Sequence, residues 1–160
     1  MTAPLTVESP ALDALSTSMQ AYGRMVTQGR VIEAVLKRTR IDLSRADVGL
    51  MKVLRDSGVG VRPGDLADRL GVDAPTVTRR VQQLEARHLV RRTADPLDRR
   101  AQLVQLTASG NRLIERAMAA FHEWLETVLF AWKESDREQL AELLARFVDD
   151  CYANLECHGR

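Results

Sequence analysis

The chain has 160 residues, 45% of them apolar and 28% charged, with a formal net charge of +1. That is the profile of a globular protein with room for one core and a helical extension. It excludes a bilayer span, which needs roughly 20 consecutive apolar residues, because the best stretch, Ala117 to Trp132, is broken by His122, Glu123 and Glu126. Pro4 and Glu8 stand where a secretory leader would carry a basic start and an unbroken apolar core, so the expected location is the cytoplasm.

Taken in chain order, residues 1–10 read as a loose tail, with Pro4 and Pro10. From Ala11 to about Arg40, Leu12, Leu15, Met19, Tyr22, Val26 and Val35 recur at three-to-four spacing. This predicts one long amphipathic helix, weakened by Gly23 and Gly29. Ser44-x-x-Asp47 has the form of a capping box and opens a second helix through Val48, Met51 and Leu54, closed by Gly58 and Gly60. Pro63 suits the first turn of a third helix, which buries Leu66, Ala67 and Leu70 and ends at Gly71. Asp73 is a good N-cap for a fourth, with Pro75 in its first turn.

Leu89-Val90-Arg91-Arg92 and Gln102-Leu103-Val104-Gln105-Leu106 then read as two short strands around the turn Asp95-Pro96-Leu97-Asp98-Arg99-Arg100. Thr107 caps a fifth helix reaching about Lys133. A Ser135-x-x-Glu138 box opens a sixth, with Leu140, Leu143, Leu144, Phe147 and Val148 as its apolar face. The expected fold is mainly α with a small β-hairpin wing. A winged helix-turn-helix domain at 41–107 is flanked by helical segments at 11–40 and 108–158, read as a dimerisation region.

The fourth helix carries the chemistry. Val77, Val81 and Leu84 form a narrow stripe to hold it on the domain, while Arg79 and Gln82 face the other way with Thr76, Thr78 and Gln83 on the flanks. Arginine can grip guanine O6 and N7, glutamine can grip adenine N6 and N7, and threonine can reach a phosphate or the thymine methyl. Arg80 lies nearer the inner stripe, which places it at a phosphate or in an internal ion pair. Such a face is also what any solvated helix looks like. The hairpin tips the balance, because Arg91, Arg92, Arg99 and Arg100 gather like charges that an anionic partner would relieve. Regional charge agrees: residues 61–107 hold nine arginines against six acids, whereas 108–160 hold six basic residues against ten acidic ones.

The run Gly64-Asp65-Leu66-Ala67, Thr76-Val77-Thr78-Arg79, Leu84-Glu85, Leu89-Val90-Arg91-Arg92, Asp95-Pro96-x-Asp98-Arg99-Arg100 and Leu106-Thr107-x-x-Gly110 resembles the MarR family of bacterial transcription regulators. The resemblance implies a homodimer interlocked through the first, fifth and sixth helices. It places the fourth helix in a major groove and the wing in the adjacent minor groove of double-stranded DNA. It makes Arg99 or Arg100 the minor-groove arginine and gives Asp98 the task of orienting a neighbouring arginine. Arg62-Pro63-Gly64 departs from the polar start usual before the third helix, so no phosphate contact is expected there.

Dimerisation has support of its own. Leu113, Met118, Phe121, Leu125, Val128, Leu129 and Trp132, with the sixth-helix face, exceed what a small winged module covers. Two-fold symmetry then predicts an inverted-repeat operator with half-sites about ten base pairs apart. The resemblance also implies a repressor role relieved by a small aromatic or anionic effector, for which Tyr22, Met25, Met51, His122 and Trp124 are the candidate contacts beside their plainer role in packing. The alternative is an effector-independent or architectural DNA binder. No cofactor is expected, and no metal, since His88, His122 and His158 are scattered. Cys151 and Cys157 match no zinc or CxxC spacing and read as reduced thiols, with a redox role or inter-subunit disulfide as the alternative. No nucleophile-base set, phosphate loop or carboxylate pair marks an enzyme.

Overall fold

The computed structural model describes residues 9–98 and 101–158. In chain order these form α1 (Pro10–Thr27), α2 (Arg30–Arg38), α3 (Arg45–Ser57), α4 (Pro63–Leu70), α5 (Ala74–Ala86), β1 (Val90–Ala94), β2 (Gln102–Leu106), α6 (Ala108–Val128) and α7 (Glu134–His158). They fall into two compact units that divide between Phe121 and His122.

The first unit corrects the single long helix expected from Ala11 to Arg40. The Gln28 and Gly29 amides close α1 on the Arg24 and Val26 carbonyls at 3.0 and 2.9 Å. Gly29 then turns at φ 68°, a left-handed conformation that costs glycine nothing, and α2 starts afresh from it. Among the described side chains of α1 none is buried. The capping box of α3 forms as expected. The Asp47 amide donates to the Ser44 hydroxyl at 3.1 Å, and the Ser44 amide donates to the Asp47 carboxylate at 2.8 Å.

Packed behind α5 is a core of Leu50, Met51, Leu66, Val77, Val81, Leu84, Val90, Val104 and Ile114, all with side chains essentially out of water. Each such aliphatic residue contributes about 1.5–3 kcal/mol through removal of apolar surface from water. The two strands pair antiparallel in the register Val90 with Leu106, Arg92 with Val104 and Ala94 with Gln102. A two-stranded hairpin is marginal alone. Here Val61, just before α4, adds a third rung by exchanging both backbone hydrogen bonds with Val104, at 3.0 and 2.9 Å. The helix-turn-helix and the wing are thus sewn together at the middle of the hairpin.

The second unit holds the end of α6 and all of α7. α6 stops at Val128 and not near Lys133, because Arg137 folds back over its end. The Arg137 guanidinium donates to the Leu129 carbonyl from Nη2 at 2.9 Å and from Nε at 3.2 Å, serving an acceptor that helix continuation would otherwise need. The Ser135 capping box is also corrected. α7 begins at Glu134, so Ser135 lies inside the first turn, and the Lys133 carbonyl takes the first amide bonds from Asp136 and Arg137. Val128, Phe130, Trp132, Leu140, Leu143, Leu144, Val148, Tyr152 and Leu155 remain exposed. No helix among the described residues is long and apolar enough to cross a membrane.

Candidate nucleic-acid interface

α5 is started by chemistry written into its first residues. The Asp73 carboxylate accepts the Thr76 amide at 2.6 Å, a bond that holds its carboxyl below the usual range and keeps the cap charged, with Arg79 adding a smaller push in the same direction. Val77, Val81 and Leu84 are buried, at 1%, 0% and 0% exposure, and so fix which way the rest of the helix points. Thr78, Arg79, Gln82 and Gln83 are exposed, whereas Thr76 and Arg80 are half-buried. The Thr78 hydroxyl spends its proton on the Ala74 carbonyl at 2.9 Å, leaving its methyl group and lone pairs for a partner.

Arg80 takes the internal ion pair of the two places open to it. Its Nη1 lies 2.9 Å from the Asp47 carboxylate and 3.1 Å from the Ser44 hydroxyl. Burial alone would raise the Asp47 carboxyl. The Ser44 amide and hydroxyl, with Arg80, outweigh it and hold the group below 3.8. One carboxylate therefore caps α3 and moors α5 to it. A group whose folded pKa is depressed stabilises the fold above its unfolded pKa, and the benefit disappears as pH falls through the folded value. Denaturation followed from neutral pH to about pH 3 should show the parent losing stability on acidification. Asp47→Ala, already weaker by about 1–2 kcal/mol at neutral pH from the lost cap and half-buried pair, should lose less. Parallel curves would sink this assignment.

The wing arginines divide. β-strand alternation sends Arg91 and Arg92 to opposite faces of the hairpin. Arg92 is half-buried and reaches back to α5 through Glu85 at 3.2 Å, with Gln102 at 3.4 Å. Arg91 is exposed, 3.3 Å from the Gln105 side-chain oxygen, in an open cleft with Arg55 and Asn111. The two do not gather at the turn itself. Arg99 and Arg100 lie outside the described residues.

Among the described residues of the turn, the buried acid is Asp95. The Asp95 carboxylate is buried, at 5% exposure, with one oxygen accepting the Leu97 amide at 2.8 Å. Its other oxygen meets Arg62, with Nη2 at 2.6 Å and Nε at 2.8 Å. The Leu97 amide, then Arg62, hold the Asp95 carboxyl below its usual range, and Asp95 in turn raises the Arg62 guanidinium. Asp98 adds to the field on Arg62 and accepts the Ala101 amide on its backbone oxygen at 2.9 Å. Sequence reading missed this pair. The Asp-Pro-x-Asp turn did signal a side chain folding onto its own backbone, but nothing local points to a partner 33 residues away.

The effector candidates divide between the two units. Met51 is fully buried in the core, Tyr22 is 61% exposed and Met25 half-buried in the first unit. His122 is exposed and Trp124 half-buried in the second. A cavity of about 130 Å³ lies instead among Ile32, Val35 and Leu36 of α2, Val48 and Lys52 of α3, and Ala117, Met118 and Phe121 of α6. A larger one of about 360 Å³ lies under the start of α5, lined by Leu50, Leu70, Val72, Val77, Arg45 and Arg80 among others. None of the five candidates lines either.

A sequence model described as MarR family matches residues 41–101. An uncharacterized HTH-type transcriptional regulator of Bacillus subtilis, YxaD, is 33% identical over 110 residues, covering 69% of this chain and 76% of its own. An HTH-type transcriptional regulator of Mycobacterium tuberculosis is 32% identical over 111 residues, covering 68% and 77%. Among solved structures, a MarR family protein from Bacillus stearothermophilus superposes with a TM-score of 0.78 at 18% identity, covering 91% of this chain and 99% of that one. Apo MarR from E. coli gives 0.67 at 23% identity, covering 80% and 95%. A MepR variant from S. aureus, solved bound to an oligodeoxyribonucleotide, gives 0.58 at 24%, covering 83% and 97%. These structural likenesses concern the fold.

Proposed function

Because this chain belongs to the MarR family of winged helix-turn-helix, DNA-binding transcription regulators, we propose that it acts in the bacterial cytoplasm as a homodimeric repressor, binding an inverted-repeat operator and released by a small-molecule effector. The observation that carries the DNA-reading part is the split of α5. Three apolar side chains are sunk in the core, while Thr78, Arg79, Gln82 and Gln83 stand exposed on the same helix. Side chains of this kind, carried on a helix fixed to the core, match base edges in a major groove. Arg91, Arg99 and Arg100 are the proposed phosphate or minor-groove contacts of the wing. Arg80 and Arg92 serve the reading head from inside, through Asp47 and Glu85.

Dimerisation is supported by the apolar residues that a single chain leaves in water. On α1 these are Leu12, Leu15, Met19, Tyr22 and Val26, and on α7 Leu140, Leu143, Leu144, Val148 and Leu155. Stripes this long on otherwise polar helices are what a self-complementary interface covers. Light scattering on the purified protein should return twice the mass of 17.9 kDa. Leu144→Glu should shift it toward the monomer and cut operator affinity by at least tenfold, since two half-sites then bind independently. A parent protein that runs as a monomer and still binds DNA tightly would end the dimer reading.

For the effector we propose the cavity among α2, α3 and α6. At about 130 Å³, with an almost wholly apolar lining, it approaches the roughly 150 Å³ that admits a single aromatic ring. A ligand there acts only if it favours a form that holds DNA poorly. Melting temperature against a set of phenolic acids, followed by fluorescence anisotropy on operator DNA, tests this. A compound that raises the melting temperature and loosens DNA supports it. Stabilisation without any loss of DNA binding speaks for a bystander.

The decisive experiment for the whole reading is anisotropy binding to duplex DNA from upstream of the protein's own gene, against scrambled DNA, over a salt series. Selective binding with one dimer per inverted repeat supports it. Absence of binding even at low salt overturns it.

A further inference from the structure

Arg62 occupies the N-cap position of α4 yet donates nothing to that helix's end. Both donors that define its outer edge, Nε and Nη2, go to one oxygen of Asp95. The Asp95 carboxylate is divided just as cleanly. Its first oxygen holds the Leu97 amide, which shapes the wing's turn, and its second holds Arg62, which belongs to the helix-turn-helix. The same turn is closed on its other strand by the Asp95 amide, which donates to the Ala101 carbonyl at 3.1 Å. A lever of two strands is therefore tied at its middle by Val61 and beside its turn by Arg62.

The electrostatics argue against Arg62 as a phosphate contact. Asp95, Asp98 and Asp65 all act on its guanidinium, so its charge is already answered by three carboxylates. The Asp95 carboxylate, for its part, is buried, and leaving a buried charge without its partner is costly. An arginine that gives two donors to a buried acid is a structural tie. This tie joins the two parts that must meet DNA in register, the helix-turn-helix and the wing.

We infer that Arg62 and Asp95 are positioning residues for DNA binding, whose ion pair fixes the wing's turn to the start of α4 and thereby sets where the wing meets the minor groove relative to α5. This rests on the DNA-binding reading above. With the tie intact the wing's placement is paid in advance, during folding. With it broken, the turn samples many positions and must be ordered at each binding event.

Asp95→Asn is the informative variant. An asparagine oxygen can still accept the Leu97 amide and keep the turn, but it carries no charge to hold Arg62. Parent, Asp95→Asn, Arg62→Gln, the double variant and Arg62→Lys are compared on operator duplex by anisotropy. Hydroxyl-radical footprinting reports the minor groove, and guanine N7 methylation protection reports the major groove. Each single variant should lose about tenfold in affinity, the worth of one charge-assisted contact. The wing's minor-groove footprint should fade while the major-groove protection of α5 persists. The double variant should be no weaker than either single one, because both remove the same contact, and Arg62→Lys should be intermediate.

A different pattern overturns the inference. If Asp95→Asn binds as tightly as the parent or tighter while Arg62→Gln weakens, Arg62 is itself a DNA contact. If neither variant changes affinity or footprint, the pair does not position the wing. Amide exchange at Leu97 and Ala101 separates local from global effects. Faster exchange there with an unchanged core is expected, and faster exchange throughout makes the pair a general stabiliser and ends the proposal. A parent protein that binds no DNA removes the DNA-binding reading itself, whereas a binding parent with unaffected variants removes only this inference.

Discussion

Gly110→Ala is expected to cost about 3 kcal/mol of folding stability, at the upper end of what overpacking a tight site costs. That is a fall of roughly 10 °C in melting temperature for a chain of this size. In an open helix the same exchange gains about 1 kcal/mol, since alanine is the better helix former. Gly110 is not in an open helix. It sits in the first turn of α6, buried, and a Cβ built on it would lie 2.0 Å from the Leu89 carbonyl oxygen. That oxygen is backbone and cannot swing aside. It also accepts the Thr107 amide at 3.0 Å and the Thr107 hydroxyl at 3.2 Å, the bonds that lock the end of β2 to the start of β1. Making room for one methyl group means shifting the wing's root. Gly64→Ala, in the first turn of α4 where a Cβ meets nothing within 4 Å, is the control and should be neutral to slightly stabilising. Thermal melts of the two variants decide it, and equal melting temperatures would falsify the argument.

Arg79→Ala is expected to lower affinity for the specific operator by about 1–3 kcal/mol, roughly fivefold to 150-fold, and to relax base preference at one position of each half-site. Folding stability should hold, because Arg79 is exposed and its described interaction is the weak field it shares with Asp73. Its neighbour gives the contrast. Arg80→Ala removes the ion pair to Asp47 and its bond to Ser44, so it should lower the melting temperature and weaken specific and scrambled DNA alike. Anisotropy on a panel of single-base operator variants distinguishes the two. Should Arg79→Ala weaken every duplex equally, Arg79 touches phosphate and another residue reads the base.

Much of the site was legible in the chain because its signals are local. The caps at Ser44, Asp73 and Thr107 are side chains bonding to backbone within three residues, and each starts a helix where expected. The stripe Val77, Val81, Leu84 repeats at helical spacing, so the direction of α5 followed from periodicity alone. The two strands and their turn were equally plain. Less legible was how helices end. The end of α6 depends on Arg137, eight residues beyond the Leu129 carbonyl it serves, and the break at Gly29 is a choice between two conformations that glycine adopts about equally well.

By itself, then, the sequence determined the element order, the mainly α class with its hairpin, the inner and outer faces of α5 and the regional split of charge. Each of these depends on residues a few positions apart, where bond geometry and spacing leave few alternatives. Only the tertiary structure decided which arginines are committed inward and which stay available. Arg92 looks in sequence like Arg91, and Arg80 was open to a phosphate or an ion pair, yet Arg62, Arg80 and Arg92 pair with Asp95, Asp47 and Glu85, two of those partners lying 33 residues away. The physical reason is that an arginine's role is set by where the nearest carboxylate is carried by the fold. That distance is fixed by the packing of α3, α4, α5 and the hairpin around one core, not by anything in the arginine's own neighbourhood along the chain.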